Sequence, residues 1–309
     1  MSRFFIQRII ATLFSLFGAT LIAFFASRLA PGDPIRLMMG DQNVSPQVVQ
    51  RLQAQYGLDQ PIPVQYVYFL RNALTGDFGT SYYYIGKPVL QVIAPGALVS
   101  LQWESVALVI AVALALIFGT LSAIRHNTWL DNAVMFVALS GISIPSFALA
   151  TFLIVVFSLK LDLLPVAGLT TPAHYVLPCL TMAAQPAALL ARLLRASMLE
   201  VINQEFIITA RAKGLRETVV IVRHALKNAM LPTLTVLGII VGRILAGAFL
   251  IETVFSIPGI GRIGVQAVIQ RDYPVILAIT VLLSVVFLLV TFIVDLMYGL
   301  LDPRIRYNS

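Results

Sequence analysis

Tyr273-Pro274-Val275-Ile276-Leu277-Ala278-Ile279-Thr280-Val281-Leu282-Leu283-Ser284-Val285-Val286-Phe287-Leu288-Leu289-Val290-Thr291-Phe292-Ile293-Val294 is a run of 22 residues without one charged side chain. A bilayer core about 30 Å thick takes roughly 20 apolar residues in a helix, so this stretch reads as a membrane span. The rest of the chain agrees. Of its 309 residues, 59% are hydrophobic and 11% charged, whereas soluble domains are roughly half apolar and a quarter charged. A soluble enzyme and a disordered chain are both excluded. One cysteine, Cys179, leaves no disulfide framework and no multi-cysteine metal site.

Working outward from that span, five more candidates appear. Ile9 to Ser27 follows Arg3 and Arg8 and lacks a small-x-small cleavage site, so it reads as an uncleaved signal anchor. Ser105 to Ile124 and Asn132 to Leu159 are free of charge. A fourth helix is expected from about Pro178 to Met198, and a fifth from Asn228 to Ile251, with Pro232 in its first turn, where proline is tolerated. Six spans place both termini on one side. Twelve basic residues in short loops and span ends, from Arg3 to Arg306, fall on that side, against Arg28, Lys160, Arg262 and Arg271 opposite. The positive-inside rule therefore makes both termini cytoplasmic. Topology accounts for the net charge of +7, and a nucleic-acid partner is not needed.

Residues 31–98 have the composition of a soluble segment and would lie outside. Ser45 and Pro46 open a helix over about 46–56 that Gly57 stops, and a second helix is expected from Val64 to Leu74. Tyr82, Tyr83 and Tyr84 could form a strand or an interfacial patch.

Between spans four and five lies 200–231, the longest cytoplasmic connection. Glu205-Phe206-Ile207-Ile208-Thr209-Ala210-Arg211-Ala212-Lys213-Gly214 reads as a short helix ended by glycine. From Arg216 the helical pattern resumes, with Val219, Val222, Leu226 and Ala229 on one face and Arg216, Arg223 and Lys227 on another. An amphipathic helix on lipid head groups would look similar. The small Ala210, Ala212 and Gly214 favour a docked partner, because they let a backbone approach closely.

Thr209-Ala210-Arg211-Ala212-Lys213-Gly214 followed by His224-Ala225-Leu226-Lys227-Asn228-Ala229-Met230-Leu231-Pro232 resembles the coupling loop of ABC importer permeases, in the form of the dipeptide, oligopeptide and nickel permease family. The interval of 18 residues from Gly214 to Pro232 is longer than in the general importer motif, and Ile208 stands where that motif has glutamate. Other segments resemble the same branch, among them Ala30-Pro31-Gly32-Asp33-Pro34, Gly76-Asp77-Phe78-Gly79, Val254-Phe255-Ser256-Ile257-Pro258-Gly259 and Arg271-Asp272-Tyr273-Pro274. The resemblance implies a type I importer permease of the bacterial inner (plasma) membrane. It would be all-α and polytopic, with six transmembrane helices and a small extracytoplasmic insertion between helices 1 and 2. Residues 1–30 would hold helix 1, 31–98 the insertion, 99–301 the permease core and 302–309 a cytoplasmic tail. Its implied partners are a second homologous permease, two cytoplasmic ABC ATPases docked on the coupling loops, and an extracytoplasmic substrate-binding protein. Glu205, Thr209, Ala210, Arg211, Ala212, Lys213 and Gly214 would couple to an ATPase. The chain has no Gly-x-x-x-x-Gly-Lys-Ser/Thr phosphate loop, so ATP and Mg belong to the partners and this chain binds no cofactor.

Arg243, within span five, is a candidate to hold a peptide carboxylate or to hydrogen-bond between helices. Ser143 and Ser146 are neutral candidates for the pathway lining. Glu104 and Glu252, at outer span ends, are expected to be solvated or gating, and Asp295 to pair with cytoplasmic arginines. His126, His174 and His224 lie in separate loops, so no metal site is expected. Pro145 reads as a kink. A membrane enzyme would need paired carboxylates or a Ser/His couple at membrane depth, and the sequence offers neither. Mostly neutral polar groups suit zwitterionic short peptides, with glutathione-like tripeptides, nickel or nickel chelates as alternatives.

Overall fold

The computed structural model describes residues 2–29, 45–55, 57–245 and 248–301. Among these, helix dominates, and the only strand-like feature is an isolated bridge between Thr80 and Pro88. Five helices are long and apolar enough to cross a membrane, or six if one bent pair counts as a single span. The elements are α1 (Ser2–Leu29), α2 (Pro46–Gln55), α3 (Ile62–Leu74), α4 (Val89–Ile124), α5 (Trp129–Ser143), α6 (Ser146–Leu153) with a π-helical extension Ile154–Lys160, and α7 (Pro172–Ile202). Then come α8 (Glu205–Ala212) and α9, which begins at Glu217–Val219, passes through π-helical Val220–Leu226 and continues as Lys227–Leu245. Last are α10 (Phe249–Val254), α11 (Ile260–Gln270) and α12 (Tyr273–Leu301).

Several helix limits differ from the sequence expectation, each for a local reason. The second long helix starts at Val89, well before Ser105, and keeps Pro95 inside. The fourth starts at Pro172, not Pro178. There Thr171 and His174 form a capping box, with Thr171 Oγ1 and His174 Nδ1 2.7 Å apart, and Pro172 takes a first-turn position. The expected span 132–159 is broken at Ser143 to Ser146, where α5 and the α6 pair turn by 110°. Pro145 has no N–H for the Gly141 carbonyl, and Ile144 adopts extended backbone. Pro232 lies inside α9, because helix begins earlier, at Glu217.

The chain divides into two compact units. The first holds residues 1–100 and 258–288. In it Phe24, Tyr66 and Leu277 form one core cluster, and Tyr66 meets Phe17 edge-on at 5.9 Å. A second cluster gathers Val89, Ile93, Ile260, Ala267, Val275 and Ala278. Gly96 is required there: a Cβ would stand 3.2 Å from the Gly259 carbonyl carbon. The tyrosine triplet is not a strand: Tyr82 is buried, while Tyr83 and Tyr84 are exposed and meet edge-on. Asp272 accepts the Ser81 hydroxyl and the N–H groups of Tyr82 at 3.0 Å and Tyr83 at 3.3 Å, so one buried carboxylate fixes the segment.

The second unit holds residues 101–257 and 289–309. Small side chains let its long helices approach: Ala111 of α4 packs with Ala183 and Ala187 of α7. At Gly119 an added Cβ would lie 2.8 Å from the Ala191 carbonyl oxygen.

Candidate functional site

α8 exists because Gln204 supplies extended backbone before it and Gly214 ends it at φ +72°, a left-handed conformation that disfavours any Cβ. Its eight residues include the consecutive apolar Phe206, Ile207 and Ile208. So short a helix can bury only one face. Ile207 and Ala210 take that face and sit in a core with Ala123 of α4, Leu194 and Met198 of α7, and Val220, Ile221, Ala225 and Ala229 of α9. A displacement of α8 is therefore carried to three long helices by close-packed contact.

The opposite face is open. Phe206, Ile208 and the following Leu215 are 40%, 58% and 41% exposed, and Glu205, Thr209, Arg211, Ala212, Lys213 and Gly214 are exposed with them. Thr209 Oγ1 is bonded to the Glu205 carbonyl at 2.9 Å. Arg211 grips Glu217 with both arms, Nη2 to Oε1 at 2.7 Å and Nε to Oε2 at 3.2 Å, clasping the turn at Gly214. This hydrogen bond holds the Arg211 guanidinium above its ordinary pKa range. Lys213 has no ion-pair partner among the described residues. Ala210 differs from its neighbours: its small side chain serves this chain's own core, not an outside surface. Sequence reading missed Phe206, Ile208 and Leu215, although three apolar residues in a row on a short helix signal that some must be exposed.

The face expected from Arg216 onward is also rotated. Val222 is exposed and Val219 and Leu226 are half-buried, while Val220, Ile221 and Ala225 are buried. The π-helical stretch widens the turn, so a 3.6-residue template loses phase inside it.

A cleft of about 380 Å³ lies where the α5–α6 break meets α7, α9 and residues 248–251; Ile142, Ser146, Met182, Gln185, Ile240 and Ile244 are on its wall. Gln185 Nε2 donates to the Ile144 carbonyl at 3.1 Å, closing the gap in the helix at the break. Ser146 is brought to this cleft. Ser143 is not on its wall, and its hydroxyl bonds to the Leu139 carbonyl at 2.9 Å. The side chains of Arg243 and Asp295 lie outside the described residues.

Glu104 and Glu252 are not solvated: they are 1% and 0% exposed. α10 is a separate helix from α9, and it places Glu252 where Trp103 Nε1 donates to Oε1 at 3.2 Å. A further buried polar group was invisible in the sequence. Asp131 accepts Arg195 Nε and Nη2, both at 2.7 Å, the Ser122 hydroxyl and the Asn127 N–H at 3.0 Å. His126 stands beside it, with Nδ1 3.3 Å from the carboxylate.

Helices of spanning length around a small apolar cleft, with one short helix seated on three of them and open on its far side, suit a transport protein driven from outside its own chain. The chain belongs to the family described as binding-protein-dependent transport system inner membrane component, matched over residues 115–307, and the N-terminal component of that system matches 1–92. It is a multi-pass inner-membrane permease of the ABC importer class, with the type I permease fold. It is similar to the dipeptide transport system permease protein DppB of Bacillus subtilis (strain 168), 44% identical over 100% of this chain and 99% of the relative. The glutathione transport system permease protein GsiC of Escherichia coli (strain K12) is 40% identical, with 100% of both chains covered. Among solved structures, an inward-facing form of the MetNI methionine ABC transporter aligns with a TM-score of 0.59 at 20% identity, over 71% of this chain and 100% of that one.

Proposed function

We propose that this chain is one of two homologous permease subunits of an importer of short peptides, driven by two cytoplasmic ATPases and supplied by an extracytoplasmic binding protein. The name of the 44% identical relative supports dipeptides as cargo. That of the 40% identical relative favours glutathione, itself a tripeptide, as the second reading. Both termini and α8 face the cytoplasm, in keeping with the distribution of basic residues.

The observation that carries the mechanism is the two-faced α8: Ile207 and Ala210 inside a shared core, Phe206, Ile208 and Lys213 outside. The outer face docks in a groove of an ATPase, with apolar anchors and one cation. The partners bind ATP and Mg and close on one another. This chain performs no chemistry and binds no cofactor; it receives a push at α8 and passes it to α4, α7 and α9, shifting the population between inward- and outward-open states. The 143–146 break, which brings Ser146 to the cleft, is where the helices flex.

Reconstitution of the full complex with its cognate binding protein tests cargo and mechanism together. Uptake of labelled di- to pentapeptides is expected, with glutathione as competitor. Nickel or nickel-chelate uptake without peptide uptake would overturn the cargo assignment; peptide uptake that persists with both ATPases absent would overturn the mechanism.

A further inference from the structure

The end of α1 away from the N-terminus borders a second cleft, of about 160 Å³, that the transport reading does not use. Arg28 lies on its wall, its guanidinium 5.2 Å from the centre of the Phe24 ring. Among the described residues, Arg28 Nε is buried without a hydrogen-bond partner. Gln65 lines the same cleft; its Nε2 donates to the carbonyls of Gln60 at 2.7 Å and Leu58 at 3.3 Å, yet its Oε1 is also buried and, among the described residues, unpartnered. Asp77 supplies a carboxylate to a lining that also includes Ser27, Asn72 and Thr80, its Oδ1 accepting the Gly79 N–H at 2.9 Å. Buried polar atoms without partners are uncommon and call for an explanation. Here the residues that carry a stranded donor and a stranded acceptor line one small cleft with a carboxylate.

Such a lining matches a ligand that is itself a zwitterion: an anionic group for Arg28, and N–H donors on a cation for Gln65 and Asp77. Beside the cleft, Ile22 and Leu29 of α1 are 71% and 80% exposed, as residues are that meet acyl chains. Tyr68 and Tyr273 on the wall are of the residue type found at the membrane–water boundary. We propose that this cleft holds the head group of a membrane phospholipid of the phosphatidylethanolamine type, its phosphate on Arg28 and its primary ammonium between Gln65 and Asp77. A trimethylammonium head group has no N–H to give Gln65, and a glycerol head group has no cation for Asp77. The assignment rests on α1 lying in the bilayer, and neither on peptide cargo nor on ATPase docking.

The full chain, purified with its partners and stripped of lipid in detergent, is titrated with dihexanoyl phosphatidylethanolamine, -glycerol and -choline and with Ala-Ala, and binding is counted by native mass spectrometry. One saturable phosphatidylethanolamine adduct is expected, with the other two lipids weaker by about tenfold, the value of one charge-assisted hydrogen bond. Arg28→Gln should weaken the adduct by a similar factor, and Arg28→Lys should restore part of it. Asp77→Asn, at an exposed position that keeps the Gly79 bond, should weaken phosphatidylethanolamine and leave phosphatidylglycerol unchanged. No saturable adduct, equal affinity in Asp77→Asn, or displacement of the lipid by Ala-Ala would each overturn the proposal.

Discussion

Leu194 and Arg195 are adjacent on α7, yet they fasten it in opposite ways. Leu194 belongs to the apolar seat of α8, with Met198, Ile207 and Ala210. Arg195 makes a two-pronged bond to the buried Asp131 of α5. An apolar seat weakens in proportion to the volume removed, because each lost methylene forfeits a share of burial and contact. An ion pair out of water behaves as a switch: intact it is near break-even against apolar packing, but with one partner gone it leaves an uncompensated charge. The permease thus uses a graded joint at α8 and an all-or-none joint beside it.

Thermal unfolding of the purified complex should rank the two joints. The largest loss is expected for Asp131→Ala, about 3 kcal/mol, since Arg195 is left without its partner but remains partly wetted; Asp131→Asn combined with Arg195→Gln should recover most of it. If the single variant costs no more than the double, the switch-like description fails. Ile207→Ala should cost about 2 kcal/mol from the lost burial and the cavity, and Ala210→Leu, by overpacking, about 1–3 kcal/mol; both should lower substrate-stimulated ATP hydrolysis along with stability. Gly214→Ala places a Cβ at positive φ and should cost about 1 kcal/mol. On the outer face the prediction inverts. Phe206→Ala and Lys213→Glu should change stability by less than about 0.5 kcal/mol and abolish coupling, read as transport-linked ATPase activity in proteoliposomes. Full coupling in both would remove α8 as the docking element. The smallest effect is expected for Arg211→Ala, a loss of about 0.2–1 kcal/mol of stability, the range of an exposed ion pair.

Much of this was legible because hydrophobic length and glycine punctuation are local signals. The spans at 9–27 and 273–294, the helix at 46–55 and the stop of α8 at Gly214 could all be read from neighbouring residues. Pairings across the chain could not. Asp131 and Arg195 are 64 residues apart, and nothing in either neighbourhood marks the other. Nor could the burial of Glu104 and Glu252 be read from span position, since it depends on contacts such as that of Glu252 with Trp103, 149 residues away in the chain. Pro145 shows the limit of single-residue rules. Prolines 95, 178, 186 and 232 lie inside helices, whereas the chain turns by 110° beside Pro145. Sequence reading also gave Ala210 the wrong surroundings, because small size serves a tight core as well as it serves a docking surface.

The π-helical stretch Val220–Leu226 holds, in effect, one residue more than an α-helix of the same rise would take. That makes it a phase adjuster between α8 and the cleft. Deleting a single residue there would restore ordinary α-helical winding and leave Ile240 and Ile244 on the cleft wall, because the widened turns are what absorb the extra residue, whereas the same deletion in the α-helical turns after Lys227 would rotate everything beyond it by about 100°. A single-residue deletion should therefore be better tolerated within this stretch than in the middle of a span, where the damage would appear at the far end of the helix.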